Sequence, residues 1–322
     1  MVASRSVLGS IVHHEHTTDP GPPTTDAFVR TIRETGLVRR LLELARDEDL
    51  GDPPRDLTGE SMFAPGETRR AALVAREPCV AAGLALVPDL LDVFVSGSES
   101  VVWTPGASDA DRVDAGAELG TLEGSARAIV RLERPMLNLL ARLSGVATLT
   151  ARFVARAGDG ARVCDTRKTT PGLRVLEKYA VRCGGGTSHR MGLYDALLIK
   201  DNHLAGLSGR DFADRIVSAS CDARARGASF VQIEVDTPDQ LDRVLAIEPG
   251  AVDIVLLDNM DPETLAACVA RRDAAGSPVR LEASGGVTES TIDAIARSGV
   301  DRVSAGALTH QARSVDLGLD AR

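Results

Sequence analysis

Arg167 and Lys168 stand in the stretch DTRKTTPG, residues 165–172, directly after the apolar stub ARVC. A guanidinium beside an ammonium suits oxyanions, because arginine grips planar carboxylates bidentately and lysine meets phosphate oxygens as a point charge. The placement recurs along the chain. Lys200 follows ALLI, Glu234 lies in VQIEVD, Asp258 closes IVLLD, Ser284 with Gly285 and Gly286 follows LEA, and Gly306 follows VSA. His189 and Arg190 add two cationic types, and Arg134 is an outlier upstream. Polar turns are common on any surface, but acids and bases would not then fall so regularly at the ends of apolar runs. Converging cations are costly unless a polyanion neutralises them, so the implied ligand carries several negative charges, some carboxylate and some phosphate.

The carboxylates allow two readings. Glu234 and Asp258 either help hold Mg²⁺ together with ligand oxygens and water, or pair with Lys168 and Lys200 as salt bridges. EASGG and SAGAL place hydroxyls, glycines and backbone amides after the last two apolar runs, where barrel enzymes bind phosphate. His310, just beyond SAGAL, either points back over that phosphate or closes the domain end. No G-x-x-x-x-G-K-[ST] loop is present, GGGTSH is not a dinucleotide fingerprint, and no Ser-His-Asp grouping stands out.

Six short aliphatic runs position these residues: ARVCDTRK, ALLIKDNH, VQIEVD, IVLLDN, VRLEASGG and DRVSAGAL. Helical spacing fills several intervals, as in ADRIVSASCDARARG, DQLDRVLAI, PETLAACVA and STIDAIARSG. Strand alternating with helix implies a parallel sheet, here a (β/α) barrel whose six evident strands leave closure incomplete. In a barrel the ends of these strands share one face. Upstream, residues 36–47 read as an amphipathic helix. Between Arg70 and Leu122 short runs punctuated by Gly and Pro read as a small sheet with one or two helices, an α+β domain. Ser125 suits a helix cap and Pro135 a helix's first turn, followed by an apolar stripe from Met136 to about Gly158. The expected organisation is a flexible tail over 1–30, an N-terminal α+β sandwich domain over 31–136 joined by 311–322, and the barrel over 137–310.

Composition bounds the possibilities. The 322 residues are 43% hydrophobic but only 3% aromatic, so the core rests on Leu, Val, Ala and Ile. A net charge of −9 argues against a nucleic-acid partner, which needs a basic face. No apolar run reaches the ~18 residues of a membrane span, so no membrane partner is expected. The first 26 residues are too weakly apolar for a secretory signal, and their HHEH would need a fixed surround to hold a metal. The five scattered cysteines, with no C-x-x-C, fit reduced thiols in a cytoplasmic setting.

Taken in order, ERPMLNLLARLSGVAT, DTRKTTPGLRVLEKYAV, GGGTSHRMGLYDALLIKDNH, IEVD, LLDN, EASGGV and GVDRVSAGALTH resemble the quinolinate phosphoribosyltransferase family (nicotinate-nucleotide pyrophosphorylase, carboxylating). EDLGDPPRDLT and AREPCVAAGL add to it, so the likeness runs from about Leu37 to His310. The resemblance implies an α/β sandwich followed by an incomplete barrel, working as a homodimer. It also implies transfer of phosphoribosyl from phosphoribosyl pyrophosphate to quinolinate with Mg²⁺, releasing pyrophosphate and CO₂. By position, Arg134, Arg167, His189, Arg190 and Lys200 would line the quinolinate site, Arg134 from the neighbouring subunit. Lys168, Glu234, Asp258, Ser284, Gly285, Gly286 and Gly306 would meet phosphoribosyl pyrophosphate, and Thr166, Ser304, Ala305 and His310 complete the expected contacts. Lys168, Lys200, Glu234 and Asp258 are the expected catalytic groups, with Glu234 and Asp258 toward the metal. Two departures, Ser188 before His189 and Gln232 before Ile233-Glu234, are read as changes at the rim. The alternatives are a relative using another carboxylated heterocycle, a Schiff-base aldolase built on Lys200, and a ligand-binding protein on a retired barrel.

Overall fold

The computed structural model describes residues 25–204, 206–207 and 209–322. The HHEH motif and the rest of the N-terminal stretch before Thr25 lie outside them. The described chain divides into two compact units, one of residues 25–151, 170–185 and 311–322, the other of 152–169 and 186–310.

The first unit opens with helix Thr25–Glu34. Composition assigns residues 25–30 to the tail, but Phe28, Val29 and Ile32 form an apolar face that is almost fully buried. Tyr179, 5.7 Å from Phe28 between ring centroids, is part of that packing. The strands β1 (Thr68–Ala75), β2 (Cys79–Val80), β3 (Val101–Pro105), β4 (Arg112–Val113) and β5 (Glu118–Ser125) follow. Strand β1 pairs antiparallel with β5, β5 with β3, and β2 with β4.

Helix Ala126–Ala157 then runs unbroken through Pro135. Ser125 does cap it, its Oγ accepting from the Ala128 N–H at 3.3 Å, but Pro135 is interior rather than in a first turn. An internal proline costs about 3 kcal/mol. The flanking Leu132, Met136, Leu140 and Leu143 are each 0% exposed, and burying such side chains contributes about 1.5–3 kcal/mol apiece. Packing therefore outweighs the local rule.

The second unit is a parallel sheet of β6 (Arg162–Cys164), β7 (Leu197–Ile199), β8 (Val231–Val235), β9 (Ile254–Asp258), β10 (Arg280–Ser284) and β11 (Arg302–Ser304). Their order is β6-β11-β10-β9-β8-β7. That is the cyclic order of a barrel with one seam open, between the first and second strands. Thr187 flanks β6 on its open side, donating from N to the Val163 carbonyl at 2.8 Å and accepting from the Asp165 N–H at 3.1 Å. Helices Gly209–Ala225, Pro238–Leu245, Pro262–Ala274 and Ile292–Ala296 link successive strands. Two start on clear sequence signals: a Thr237–Gln240 capping box, and Asp261 accepting from the Thr264 N–H. Asp258, Ser284, Ser304 and Cys164 fall in one register across four strands, so the strand ends do share one face. The chain ends in β12 (Leu317–Ala321), which returns to the first unit and pairs antiparallel with β1.

Candidate active site

The loop carrying Arg167 and Lys168 is held by its own polar groups. Asp165 is 0% exposed, and its Oδ1 accepts from the His189 N–H at 2.8 Å. Thr166 Oγ1 accepts from the Lys168 N–H at 3.0 Å, and Thr309 Oγ1 donates to the Lys168 carbonyl at 2.6 Å. These bonds leave the side chains of Arg167 and Lys168 exposed at the strand ends. A Cβ on Gly306 would lie 2.8 Å from Lys168 Cδ and 3.1 Å from His310 Nε2. Glycine leaves room there for both side chains, and His310 turns back beside Lys168.

His189 and Arg190 follow the seam and are both buried. The Arg190 N–H donates to His189 Nδ1 at 2.7 Å, and His189 Nε2 lies 3.3 Å from Glu282 Oε1. Behind Glu282 stands Arg302, its Nε 2.8 Å from Glu282 Oε2. Burial would raise the Glu282 carboxyl, but His189 and Arg302 facing it hold it well below the usual carboxylate range. The loop beyond Arg190 is shaped by Asp195, which is 2% exposed and accepts from the N–H groups of Met191 and Gly192 at 2.6 and 2.9 Å.

Lys200 and Glu234 meet directly, Lys200 Nζ donating to both carboxylate oxygens at 3.0 and 2.7 Å. An ammonium held this way is not the neutral amine a Schiff-base aldolase needs. Asp258 stands nearby with its pKa raised. Burial is the main cause and the carboxylates of Glu234 and Asp236 add to it, while Lys200 and Lys168 oppose them. Lys200 and Glu234 thus pair directly, and both act on Asp258 together with Lys168. Asn259, at φ 54°, donates from Nδ2 to Asp258 Oδ2 at 2.7 Å. Gly285, at φ 88°, passes so close that a Cβ would lie 2.1 Å from Asn259 Oδ1. Gly285 therefore brings bare backbone against Asn259, while Ser284 pairs in register with Asp258.

Other expected contacts are placed differently. Ser304 is 4% exposed and lies near enough to Glu282 to help lower its pKa, and the Ala305 N–H donates to the Cys164 carbonyl at 3.0 Å. Both serve the sheet interior. Ser188 and Gln232, read from sequence as rim positions, are each 0% exposed, because each points inward from the segment that carries it. Arg134 belongs to the other unit, where its exposed side chain lines a cavity of about 310 Å³ with Arg55, Asp49 and Asp56.

Among the described residues no group of three or more His, Cys, Asp or Glu gathers to hold an ion. Glu234 and Asp258 offer hard oxygen donors, so a magnesium ion would need most of its ligands from substrate and water. The cysteines are all free, with Cys221 exposed and the rest buried. Among the described residues no helix is long and apolar enough to cross a membrane.

Asp165, Asp195, Glu282 and Arg302 are functional supports that sequence reasoning misses. A signal exists for Glu282: a charge between apolar neighbours in VRLEA sits mid-strand in a sheet covered on both faces and needs a buried partner, whereas Arg302 opens β11 beside Asp301 and gives none.

The profile of the quinolinate phosphoribosyl transferase N-terminal domain matches residues 56–144, and that of the C-terminal domain residues 146–320. The nicotinate-nucleotide pyrophosphorylase (carboxylating) of Mycobacterium leprae is 41% identical over 268 residues, covering 82% of this chain and 90% of that protein. A probable enzyme of the same name from Bacillus subtilis is 38% identical over 286 residues, covering 88% and 93%. The structure of the nicotinate-nucleotide pyrophosphorylase of Francisella tularensis superposes with a TM-score of 0.78 at 35% identity, covering 89% of this chain and 96% of that one.

Proposed function

Because the chain belongs to the quinolinate phosphoribosyltransferase family, we propose that it transfers the phosphoribosyl group of phosphoribosyl pyrophosphate to quinolinate. The products are nicotinate mononucleotide, pyrophosphate and CO₂, the decarboxylating transfer step of de novo NAD biosynthesis. The observation that carries this reading is the mouth where Lys168, Lys200, Glu234 and Asp258 interact, beside exposed Arg167 and the bare backbone of Gly285 and Gly286. It offers cations for a dianionic ring and backbone without side chains for a phosphate.

In the proposed mechanism Arg167, Arg190 and Lys200 align the two ring carboxylates, and His189 holds Arg190 in place through its Nδ1. Lys168 and His310 meet the departing pyrophosphate across Gly306. The C1–O bond of the ribose breaks with its electron pair leaving on pyrophosphate, and the pyridine nitrogen bonds to C1. The adjacent carboxylate then leaves as CO₂, its bonding pair remaining on a ring carbon next to a cationic nitrogen, and that carbon takes a proton. Glu234 and Asp258 would hold Mg²⁺, which when bound neutralises charge on the pyrophosphate. The protein's share is positioning and fixed charge. The reading includes a homodimer in which Arg134 reaches the partner's barrel, and a cytoplasmic setting consistent with five free thiols.

The test is turnover with phosphoribosyl pyrophosphate and either quinolinate or nicotinate, following CO₂ and pyrophosphate. Quinolinate-dependent release of both is expected. Turnover of nicotinate alone would move the chain to a relative with another substrate, and binding without turnover would make it a retired barrel.

A further inference from the structure

Beneath the anion site lies a charge pair that the mechanism above does not use. Glu282 on β10 and Arg302 on β11 are register partners, 0% and 2% exposed. Their contact, Arg302 Nε to Glu282 Oε2 at 2.8 Å, fills the sheet interior where apolar side chains of similar size would serve stability as well or better. A buried pair kept there calls for another purpose, and the second oxygen of Glu282 supplies one. Glu282 Oε1 stands 3.3 Å from His189 Nε2.

The other side of that imidazole is committed too. Nδ1 accepts from the Arg190 N–H at 2.7 Å, a contact that needs a lone pair on Nδ1 and therefore puts the ring proton on Nε2, facing Glu282. Phe230 closes the ring edge, with centroids 5.5 Å apart and planes at 80°. The His189 N–H in turn donates to Asp165 Oδ1 at 2.8 Å, at the start of the Arg167–Lys168 loop. One residue thus ties two cationic segments to the barrel core.

We propose that Glu282, held by Arg302, is a positioning residue for the anion site: it fixes the His189 ring in its Nε2–H form, and through it the backbone of Arg190 and the Asp165 end of the Arg167–Lys168 loop. The Glu282 carboxyl lies below the usual carboxylate range although burial opposes it, and with Arg302 facing it this agrees with a carboxylate kept charged for the contact. The kinetic consequence rests on the reading that quinolinate is the anion. The tautomer does not.

Two measurements test it. In protein labelled with ¹⁵N-histidine, with His189 assigned by loss of its signals in His189→Gln, two-bond ¹H–¹⁵N spectra of the unmodified ligand-free chain should show the Nε2–H tautomer. An Nδ1–H tautomer, or a fast-exchanging mixture, would overturn the proposal whether or not the enzyme turns over quinolinate. The second measurement uses Glu282→Gln together with Arg302→Met, which removes both charges and leaves no uncompensated ion. His189 should then show mixed tautomers. The quinolinate KM should rise about tenfold or more, the scale of losing one charge-assisted contact, with the phosphoribosyl pyrophosphate KM within about twofold. A folded double variant with unchanged quinolinate KM and a single tautomer would refute the coupling. If it fails to fold, an Nδ1–H or mixed ring in the unmodified chain still overturns the proposal, and Glu282→Asp, which keeps the charge beside Arg302 but draws it back from His189, should show the same selective rise in quinolinate KM; an unchanged KM there would refute the coupling. Absence of quinolinate turnover in the unmodified chain would count against the proposed function alone.

Discussion

Replacing Asp195 with alanine tests whether a buried acid, and not the cations themselves, shapes the loop that presents Arg190. Asp195 is 2% exposed and takes the N–H groups of Met191 and Gly192 at 2.6 and 2.9 Å. A hydrogen bond to a charged group contributes about 1.5–3 kcal/mol, so losing both costs about 3–6 kcal/mol if nothing relaxes. The backbone bond from the Ser229 N–H to the Asp195 carbonyl survives the change, which confines the damage to the turn around exposed Leu193 and Tyr194. The penalty therefore appears first as local opening and not as global unfolding. Amide hydrogen exchange read on residues 189–196 should accelerate by roughly 100-fold or more, the equivalent of about 3 kcal/mol. The quinolinate KM should rise with it. Asp195→Asn, which keeps one acceptor oxygen but turns an NH₂ toward the other N–H, should fall between. Wild-type exchange at Met191 and Gly192 in Asp195→Ala would refute the reasoning outright.

Three further outcomes follow from the same geometry. Gly285→Ala meets Asn259 Oδ1 at 2.1 Å and a φ of 88°, a backbone penalty of about 1–2 kcal/mol before any clash; phosphoribosyl pyrophosphate KM should rise about tenfold or more while the circular dichroism stays unchanged. Arg134→Ala and Arg167→Ala should each abolish most turnover, and refolding them together should restore about a quarter of it, because about half of the random dimers are mixed and each rebuilds one of its two sites; no recovery would place Arg134 in its own protomer's chemistry or in none. Glu282 is held below the carboxylate range, so its contribution is complete above the unfolded glutamate value of about 4.3 and is lost as pH falls toward the folded one. The stability gap between wild type and Glu282→Gln should therefore be flat from pH 8 to about 5 and shrink below about 4; a gap that widened in acid would reverse the sign.

The barrel strands are legible because a sheet covered on both faces demands continuous aliphatic runs, and their ends stand out by contrast. Arg167, Lys168, Lys200, Glu234 and Asp258 are found this way, as polarity breaking a run. What the run pattern hides is depth. Gln232 and Glu234 are two residues apart on β8 and so share a face, yet one is fully buried while the other reaches Lys200. Nothing in VQIEVD separates them. Ser188 is hidden for the same reason. Pro135 misleads differently: proline at a helix start is a sound local rule, and it yields here to an apolar stripe strong enough to carry the helix through. Asp165 and Asp195 give no signal, since an acid in a polar loop looks alike whether it faces water or a backbone N–H.

Such hidden acids are how an acidic protein builds a cationic site, because each cationic segment rests on a carboxylate. Asp165 backs the Arg167–Lys168 loop, and Glu177, also 0% exposed, takes the N–H and hydroxyl of Thr170 where that loop ends. Asp195 and Glu282 stand behind His189 and Arg190, and Glu234 holds Lys200. Asp165 and Asp195 contact backbone N–H groups and Glu282 a ring, so these acids fix geometry while the side chains of Arg167 and Lys168 stay exposed to the mouth. Lys200 is handled differently: Glu234 bonds its ammonium directly, and the same acid raises the pKa of Asp258. An arriving polyanion must reorganise that pair, whereas Arg167 and Lys168 meet it on a loop whose backbone is already fixed. The site is thus preorganised where the acids lie behind the cations and adjustable where one faces them. The chain's net charge of −9 accordingly reflects supports placed behind the site as well as residues facing water.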